Sequence, residues 1–288
     1  MAFTWYSTRN GNLWANRDAS YTLNDWTRFD IANPCLGDPK CGSENNTAAT
    51  IPVFNLNAGS RTGDIVTRSS DEDKRNYNGF EISGQARLAH GTTIIAGFFT
   101  EQTVARTCDR NNPNQLRYCD QFGDLFQDLG VTSPPPYRNE LKASVSQPLP
   151  WSFLGSLSFL SYANASPPTA AASFTSGQVT GTGAPIDYLG ADFALPAILP
   201  GGVARTIPVT AALVSPGTLY FDRWNQLDIS VKRPLRFGKY TLTPSFELYN
   251  LMNSSVVVNA LQTYGTTYLR PTSILPGRLM RLGAQFKF

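Results

Sequence analysis

One histidine and four cysteines are the residues of this 288-residue chain with the sharpest chemistry, and their placement bounds what it can do. His90 sits beside Gly91 in a stretch that reads as a tight, solvated turn, with no GxSxG-type nucleophile elbow near it. A Ser-His-Asp triad would have to use that one imidazole. Hydrolytic catalysis is therefore disfavoured, and the chain reads as no enzyme, with neither a cofactor nor a metal. The cysteines form two local pairs, Cys35 with Cys41 and Cys108 with Cys119, each inside a run dense in Asn, Asp, Pro and Gly. Neither pair has CxxC spacing or a neighbouring histidine, which argues against zinc. Two loop disulfides are expected instead, and with them an oxidising compartment. Asp71-Glu72-Asp73 lacks the ligand spacing of an EF-hand calcium loop. Because Lys74-Arg75 follows, a solvated loop with internal charge pairing is expected there.

The elements that carry these residues show a period of two. At the end of the chain Met280, Leu282, Ala284, Phe286 and Phe288 make one row, while Arg281, Gly283, Gln285 and Lys287 make the other. Such alternation is a strand between two different solvents. With a terminal Phe, it is the carboxy-terminal signature of bacterial outer-membrane barrels, whose apolar row faces lipid and whose polar row faces the lumen. The pattern recurs upstream. Phe80, Ile82, Gly84, Ala86 and Leu88 alternate with Glu81, Ser83, Gln85 and Arg87, and Leu141, Ala143 and Val145 with Glu140, Lys142 and Ser144. Leu227, Ile229, Val231 and Arg233 alternate with Gln226, Asp228, Ser230 and Lys232, and Tyr240, Leu242, Phe246 and Leu248 with Thr241, Thr243, Ser245 and Glu247. Trp151, Phe153, Leu157 and Phe159 are expected on the apolar face of another strand. Phe3 to Arg9 reads as a strand, and Thr92 to Val104 as one with weaker alternation. Pro244, inside a strand, predicts a bulge or an irregular ladder position.

Connections alternate in length. Short turns fall near His90, at Pro148 to Pro150 and at Pro234 to Gly238; long polar excursions fall near residues 10 to 74, 107 to 136 and 163 to 215, and Asn250 to Thr266 is the last loop. An excursion of fifty residues is uncommon in a compact soluble domain and ordinary on the outer side of a membrane barrel. The expected fold is all-β: an antiparallel outer-membrane β-barrel segment of about eight long strands with short periplasmic turns and long extracellular loops. No apolar run approaches the roughly eighteen residues of a spanning helix, which excludes a helical membrane protein. A net charge of +3 with scattered basic residues gives nucleic-acid binding no support.

A charge on the lipid face near the midplane costs about 2–4 kcal/mol for Lys or Arg, so energy sets which row points inward. Glu81, Gln85, Arg87, Glu140, Lys142, Gln226, Asp228, Lys232, Glu247, Arg281, Gln285 and Lys287 are expected to face the lumen. Tyr240, Trp151, Phe286 and Phe288 suit an aromatic girdle on the short-turn side.

Several runs resemble the late barrel of TonB-dependent outer-membrane receptors: Tyr77-Asn78-Gly79-Phe80-Glu81-Ile82 with Ala86-Arg87-Leu88, Asn225 to Val231, Phe246 to Asn253, Leu269 to Arg278, and Leu282 to Phe288. The stretch between Cys108 and Cys119, with Asn112-Pro113-Asn114-Gln115 inside it, is similar to the Oar-like group of that family. The resemblance implies a receptor or transporter in the cell outer membrane that binds and imports substrates too large for porins, with TonB supplying energy. Members of that family carry an amino-terminal plug, a TonB box and about twenty-two strands. None of the first two is found here, and the start of the chain lacks a signal peptide's basic residues and apolar core. Residues 1–288 are thus expected to be a partial barrel, 1–74 a strand plus a long outer loop and 75–288 the last strands. The implied partners are outer-membrane lipid, the plug and amino-terminal strands missing here, the barrel-assembly machinery, and TonB only through the absent plug. The competing expectation is a soluble, disulfide-containing β-sandwich that binds a surface glycan or protein.

Overall fold

A computed structural model of the chain describes residues 1–43, 46–60, 62–106, 109–116, 119–122, 134–163, 192–215 and 218–288. Cys108 and much of the two central excursions lie outside the described residues. In chain order the strands are β1 (Ala2–Asn10), β2 (Leu13–Asp18), β3 (Trp26–Ala32), β4 (Thr50–Leu56), β5 (Ile65–Ser70), β6 (Lys74–Arg87), β7 (Thr93–Arg106), β8 (Arg138–Leu149) and β9 (Phe153–Tyr162). They continue as β10 (Asp192–Ala194), β11 (Ile198–Leu199), β12 (Val203–Ala204), β13 (Thr210–Ala212), β14 (Trp224–Lys232), β15 (Leu235–Phe237), β16 (Tyr240–Tyr249), β17 (Val257–Ala260), β18 (Pro271–Ile274) and β19 (Leu279–Lys287).

Nine of these strands form one antiparallel sheet, in the order β1-β6-β7-β8-β9-β14-β16, with β15 and β19 also paired to β16. β14 and β15 are two parts of one strand. Lys232 faces Ser245 and Leu235 faces Leu242, an unbroken register across Arg233-Pro234. The wall therefore has eight strand positions in a simple meander, open between the edges β1 and β19.

The same register corrects two expectations. Pro234 does not open a turn; the reversal is the two-residue Gly238-Lys239 link between Phe237 and Tyr240, where Gly238 takes φ +62°. A two-residue hairpin link needs positive φ, which glycine adopts without a Cβ penalty. Pro244 is no bulge, although the ladder towards β14 pauses beside it, between Lys232–Ser245 and Leu235–Leu242. It stands opposite Ala284 in regular register, and its carbonyl accepts the Arg233 amide at 3.1 Å. At the neighbouring turn, Trp151 belongs to the reversal Pro150–Ser152, with φ +59°, rather than to the strand after it.

One rung crosses the wall through Arg87, Thr93, Ser146, Ser156, Ser230, Glu247 and Arg281. It passes three residues from His90, five from Trp151 and eight from Gly238, so the strands are progressively staggered. That stagger is about 1.2 residues per strand. At ~3.3 Å per residue and ~4.8 Å between strands it tilts the strands by about 40°, within the roughly 35–45° of barrel walls.

Among the described residues, neither buried apolar cluster lies on the wall. On one face Ile94, Val145, Leu157, Ile229, Leu248 and Met280 share a rung, and Phe98, Leu141 and Phe246 stand near it. Leu157 is 40% exposed and Leu282 73%. Buried apolar side chains gather instead in a cap built from the long excursions. Ile31, Ile51 and Val53 pack with Leu195, Leu199, Leu213 and Tyr268, and Tyr21, Trp26 and Leu56 form a second cluster beside them. The first excursion, expected to be a long, turn-rich loop with short hairpins such as one at Ile51 to Leu56, contains two ribbons, β2 with β5 and β3 with β4, and the second ribbon includes that stretch. The last loop runs from Asn250 to Arg278, well beyond Thr266, and contains the hairpin of β17 and β18.

Candidate functional site

Two surfaces carry polar chemistry: the second face of the wall and the base of the cap. Register puts all the residues expected to face a lumen on one face, because Glu81, Glu140 and their alternates occupy the rungs between the apolar ones. The Tyr77 hydroxyl donates to Glu101 at 2.9 Å and Arg138 reaches the same carboxylate at 3.3 Å. The Lys142 ammonium lies 3.6 Å from Glu140 and 5.1 Å from the Tyr162 ring centroid. The Gln226 amide donates to Asp228 at 2.9 Å, and Trp224 Nε1 donates to Gln226 at 3.2 Å. Glu247 accepts from the Tyr249 hydroxyl at 2.6 Å and sits 3.7 Å from Lys232 and 3.5 Å from Arg281.

Water screens such partly exposed pairs, so each adds little to stability. This face of the wall therefore presents a mixed-charge surface. Glu81 accepts a hydrogen bond from the Tyr6 hydroxyl at 3.4 Å. Gln85, Arg87, Gln285 and Lys287 are not drawn into these groups. His90 is exposed in its turn, with φ +62°.

At the base of the cap the charges are buried. Asp73 is 0% exposed and takes Arg17 at 2.8 Å and Arg110 at 3.5 Å, while Arg110 also pairs with Glu72. Asp71-Glu72-Asp73 is therefore no wholly solvated run paired with its own Lys74 and Arg75. Asp73 is buried, and partners of Asp73 and Glu72 come from Arg17 and Arg110. Arg106 and Asp120, both 4% exposed, pair at 3.2 Å. Asn114 acts as an extra rung on β4: its side-chain oxygen accepts the Phe54 amide and its Nδ2 donates to the Phe54 carbonyl, both at 2.8 Å. Trp26 Nε1 donates to the Asn111 carbonyl at 2.9 Å. From the far end of the chain, the Tyr264 hydroxyl lies 2.6 Å from the Pro34 carbonyl and 2.9 Å from Asp38. Burial, then the Asp38 carboxylate, push the Tyr264 phenol above its ordinary value.

Cys35 and Cys41 form the expected disulfide, fully buried among these residues. Cys119 is disulfide-bonded and nearly buried; Cys108 lies outside the described residues.

Asp18 closes the joint between β2 and β5. Its carboxylate accepts the Gly63 amide at 2.7 Å, the Asp64 amide at 3.2 Å and the Ser20 amide at 3.0 Å, and takes the Ser20 hydroxyl as well. Burial pulls its pKa up, but these four donors outweigh burial and hold it below the usual carboxylate value. A carboxyl depressed in the fold stabilises above its unfolded value and loses that contribution as pH falls through the folded one. Nearby Asp109 has the opposite sign, its pKa raised chiefly by burial. Acidification from pH 6 to 3 is thus expected to deprotect the Gly63 and Asp64 amides in hydrogen exchange corrected for intrinsic rates. Asp18→Asn should show low protection at both pH values, with the pH dependence gone.

No family model matches the chain, and no curated protein matches it. Among solved structures it is similar to the outer membrane transporter YddB from Escherichia coli, at 10% identity and a TM-score of 0.38, over 97% of this chain and 30% of that one. The chain thus spans under a third of the length of that transporter.

Proposed function

We propose that this chain is part of the wall and surface cap of an outer-membrane receptor of the TonB-dependent kind, contributing to substrate binding and uptake, and that it is no enzyme. The carrying observation is the apolar face, continuous across eight strand positions tilted by about 40° and uncovered by any other described element. Soluble monomers rarely expose apolar patches beyond a few hundred Å²; lipid covers such a face without further protein. A soluble sandwich would need a second sheet over Phe80, Phe98 and Phe246. The small sheets instead pack together in the cap.

The mixed-charge face then lines a lumen, and the cap, held by a disulfide, faces the cell exterior. In lipid an unpaired strand edge leaves backbone groups unsatisfied at several kcal/mol each. β1 and β19 therefore pair with further strands of a larger barrel, around a plug through which TonB acts. The substrate is one that meets the cap first.

Cysteine labelling of the exported receptor in intact cells tests the topology. Leu36→Cys, on the exposed surface of the cap, should react with an impermeant maleimide. His90→Cys and Lys239→Cys should react only after the outer membrane is permeabilised. The reverse pattern would invert the assignment, and recovery of the protein in the soluble periplasmic fraction without detergent would end it.

A further inference from the structure

Acidic residues are absent from the short-turn end of the wall. No Asp or Glu occurs between Glu81 and Glu101, between Glu140 and Asp187, between Asp228 and Glu247, or after Glu247. Those intervals hold Arg87, Lys232, Arg233, Arg236, Lys239 and Lys287 near the turns. Most of these cations stand on the polar face or in a turn, where water reaches them. Arg233 does not. It follows Leu227, Ile229 and Val231 in strict alternation, so it projects from the apolar face, directly across from Phe153 in the extended register of β9 and β14.

Its geometry is that of a held, half-used guanidinium. Nε donates to the Trp151 carbonyl at 3.1 Å, and the guanidinium carbon lies 5.0 Å from the Phe153 ring centroid. Trp151 itself is 81% exposed beside it. Among the described residues no carboxylate pairs with Arg233. A cation on an apolar surface needs an anion to offset its desolvation, and a guanidinium presents a planar fork that matches phosphate oxygens two at a time. An exposed Trp next to a basic side chain marks the membrane interface, where headgroup phosphates lie.

We propose that Arg233, fixed by the Trp151 carbonyl and the Phe153 ring, is a binding site for the phosphate of an anionic phospholipid headgroup in the leaflet at the short-turn side. This rests on the membrane reading above. The free terminal nitrogens of the guanidinium take the phosphate oxygens, Phe153 and Trp151 flank the glycerol and upper acyl chain, and Lys239, whose ammonium lies 5.2 Å from the Tyr240 ring centroid, adds a second cation at the next turn.

The test uses the receptor purified in a non-ionic maltoside detergent, titrated with phosphatidylglycerol, phosphatidylcholine or inorganic phosphate, with bound lipid counted by native mass spectrometry. Retention of phosphatidylglycerol over phosphatidylcholine, weakened at least five-fold in Arg233→Gln and only partly restored by Arg233→Lys, is the expected result. Lys287→Gln, a cation on the polar face, should bind as the parent does. Equal retention by Arg233→Gln would overturn the proposal, as would displacement of the lipid by millimolar inorganic phosphate, which would make this a site for the free anion. Failure of the membrane reading looks different: the protein would then stay soluble without detergent and hold no lipid in any variant.

Discussion

Leu157→Arg is expected to prevent stable folding in a bilayer while Ser158→Arg, one residue on, leaves it intact. Leu157 shares its rung with Val145 and Ile229 on the apolar face, whereas Ser158 stands between Ser144 and Asp228 on the polar one. An arginine near the bilayer midplane costs about 2–4 kcal/mol, and one in a wet lumen costs close to nothing. At Ser158 it even finds the Asp228 carboxylate within reach. If water bathed both faces, the order would vanish, since surface substitutions away from special features stay within about 0.5 kcal/mol of neutral. Urea titration of the two variants in lipid vesicles, reading the heat-modifiable folded band, separates the cases. Equal midpoints would show that the apolar face is not in lipid.

Asp73→Ala should cost the cap about 3 kcal/mol, at the lower end for breaking a buried pair, because Arg17 loses this carboxylate while Arg110 keeps Glu72. Arg17 is 15% exposed and Arg110 20%, so neither can turn fully to water without moving the strands around it. The loss is confined to the cap: the wall's rungs do not pass through Asp73. Limited proteolysis of cells displaying the receptor should therefore open the cap at β2 to β5 while the wall's hairpins remain protected. A cap as resistant as the parent's would show that the two arginines find other partners.

The wall was legible in the sequence because each of its strands separates two media. Met280 to Phe288, Leu227 to Val231 and Phe80 to Leu88 alternate with little interruption, and their registers lie where that alternation puts them. Proline misled at both of its positions in the last hairpin. A missing donor suggests a turn at Pro234 and a bulge or irregular ladder position at Pro244; the register offset runs straight through both, although the ladder pauses between Lys232 and Leu235. The cap was hidden for a different reason. Its strands β3 and β4 are short, flanked by Asn, Asp and Gly, and buried by Leu195, Leu199, Leu213, Val214 and Tyr268, a packing that no local pattern announces. Asp73 illustrates the point. Beside Lys74 and Arg75 it looks self-neutralised, and only the fold brings Arg17 and Arg110 to it.

The joining of Pro34 and Asp38 to Tyr264 bears on the order in which this molecule assembles. Each hairpin of the wall closes within a short span of chain, but the Tyr264 contacts link residues 226 and 230 positions apart, and Asn55 reaches Thr206 across 151. Contacts of such high sequence separation form slowly, since the entropy of closing the intervening chain must be overcome before they contribute. Closure of the cap by residues 264 to 269 is thus expected to follow the wall's hairpins, leaving the Cys35–Cys41 lobe partly uncovered until those residues reach it, so that a closed cap would report a chain paired up to its last loop.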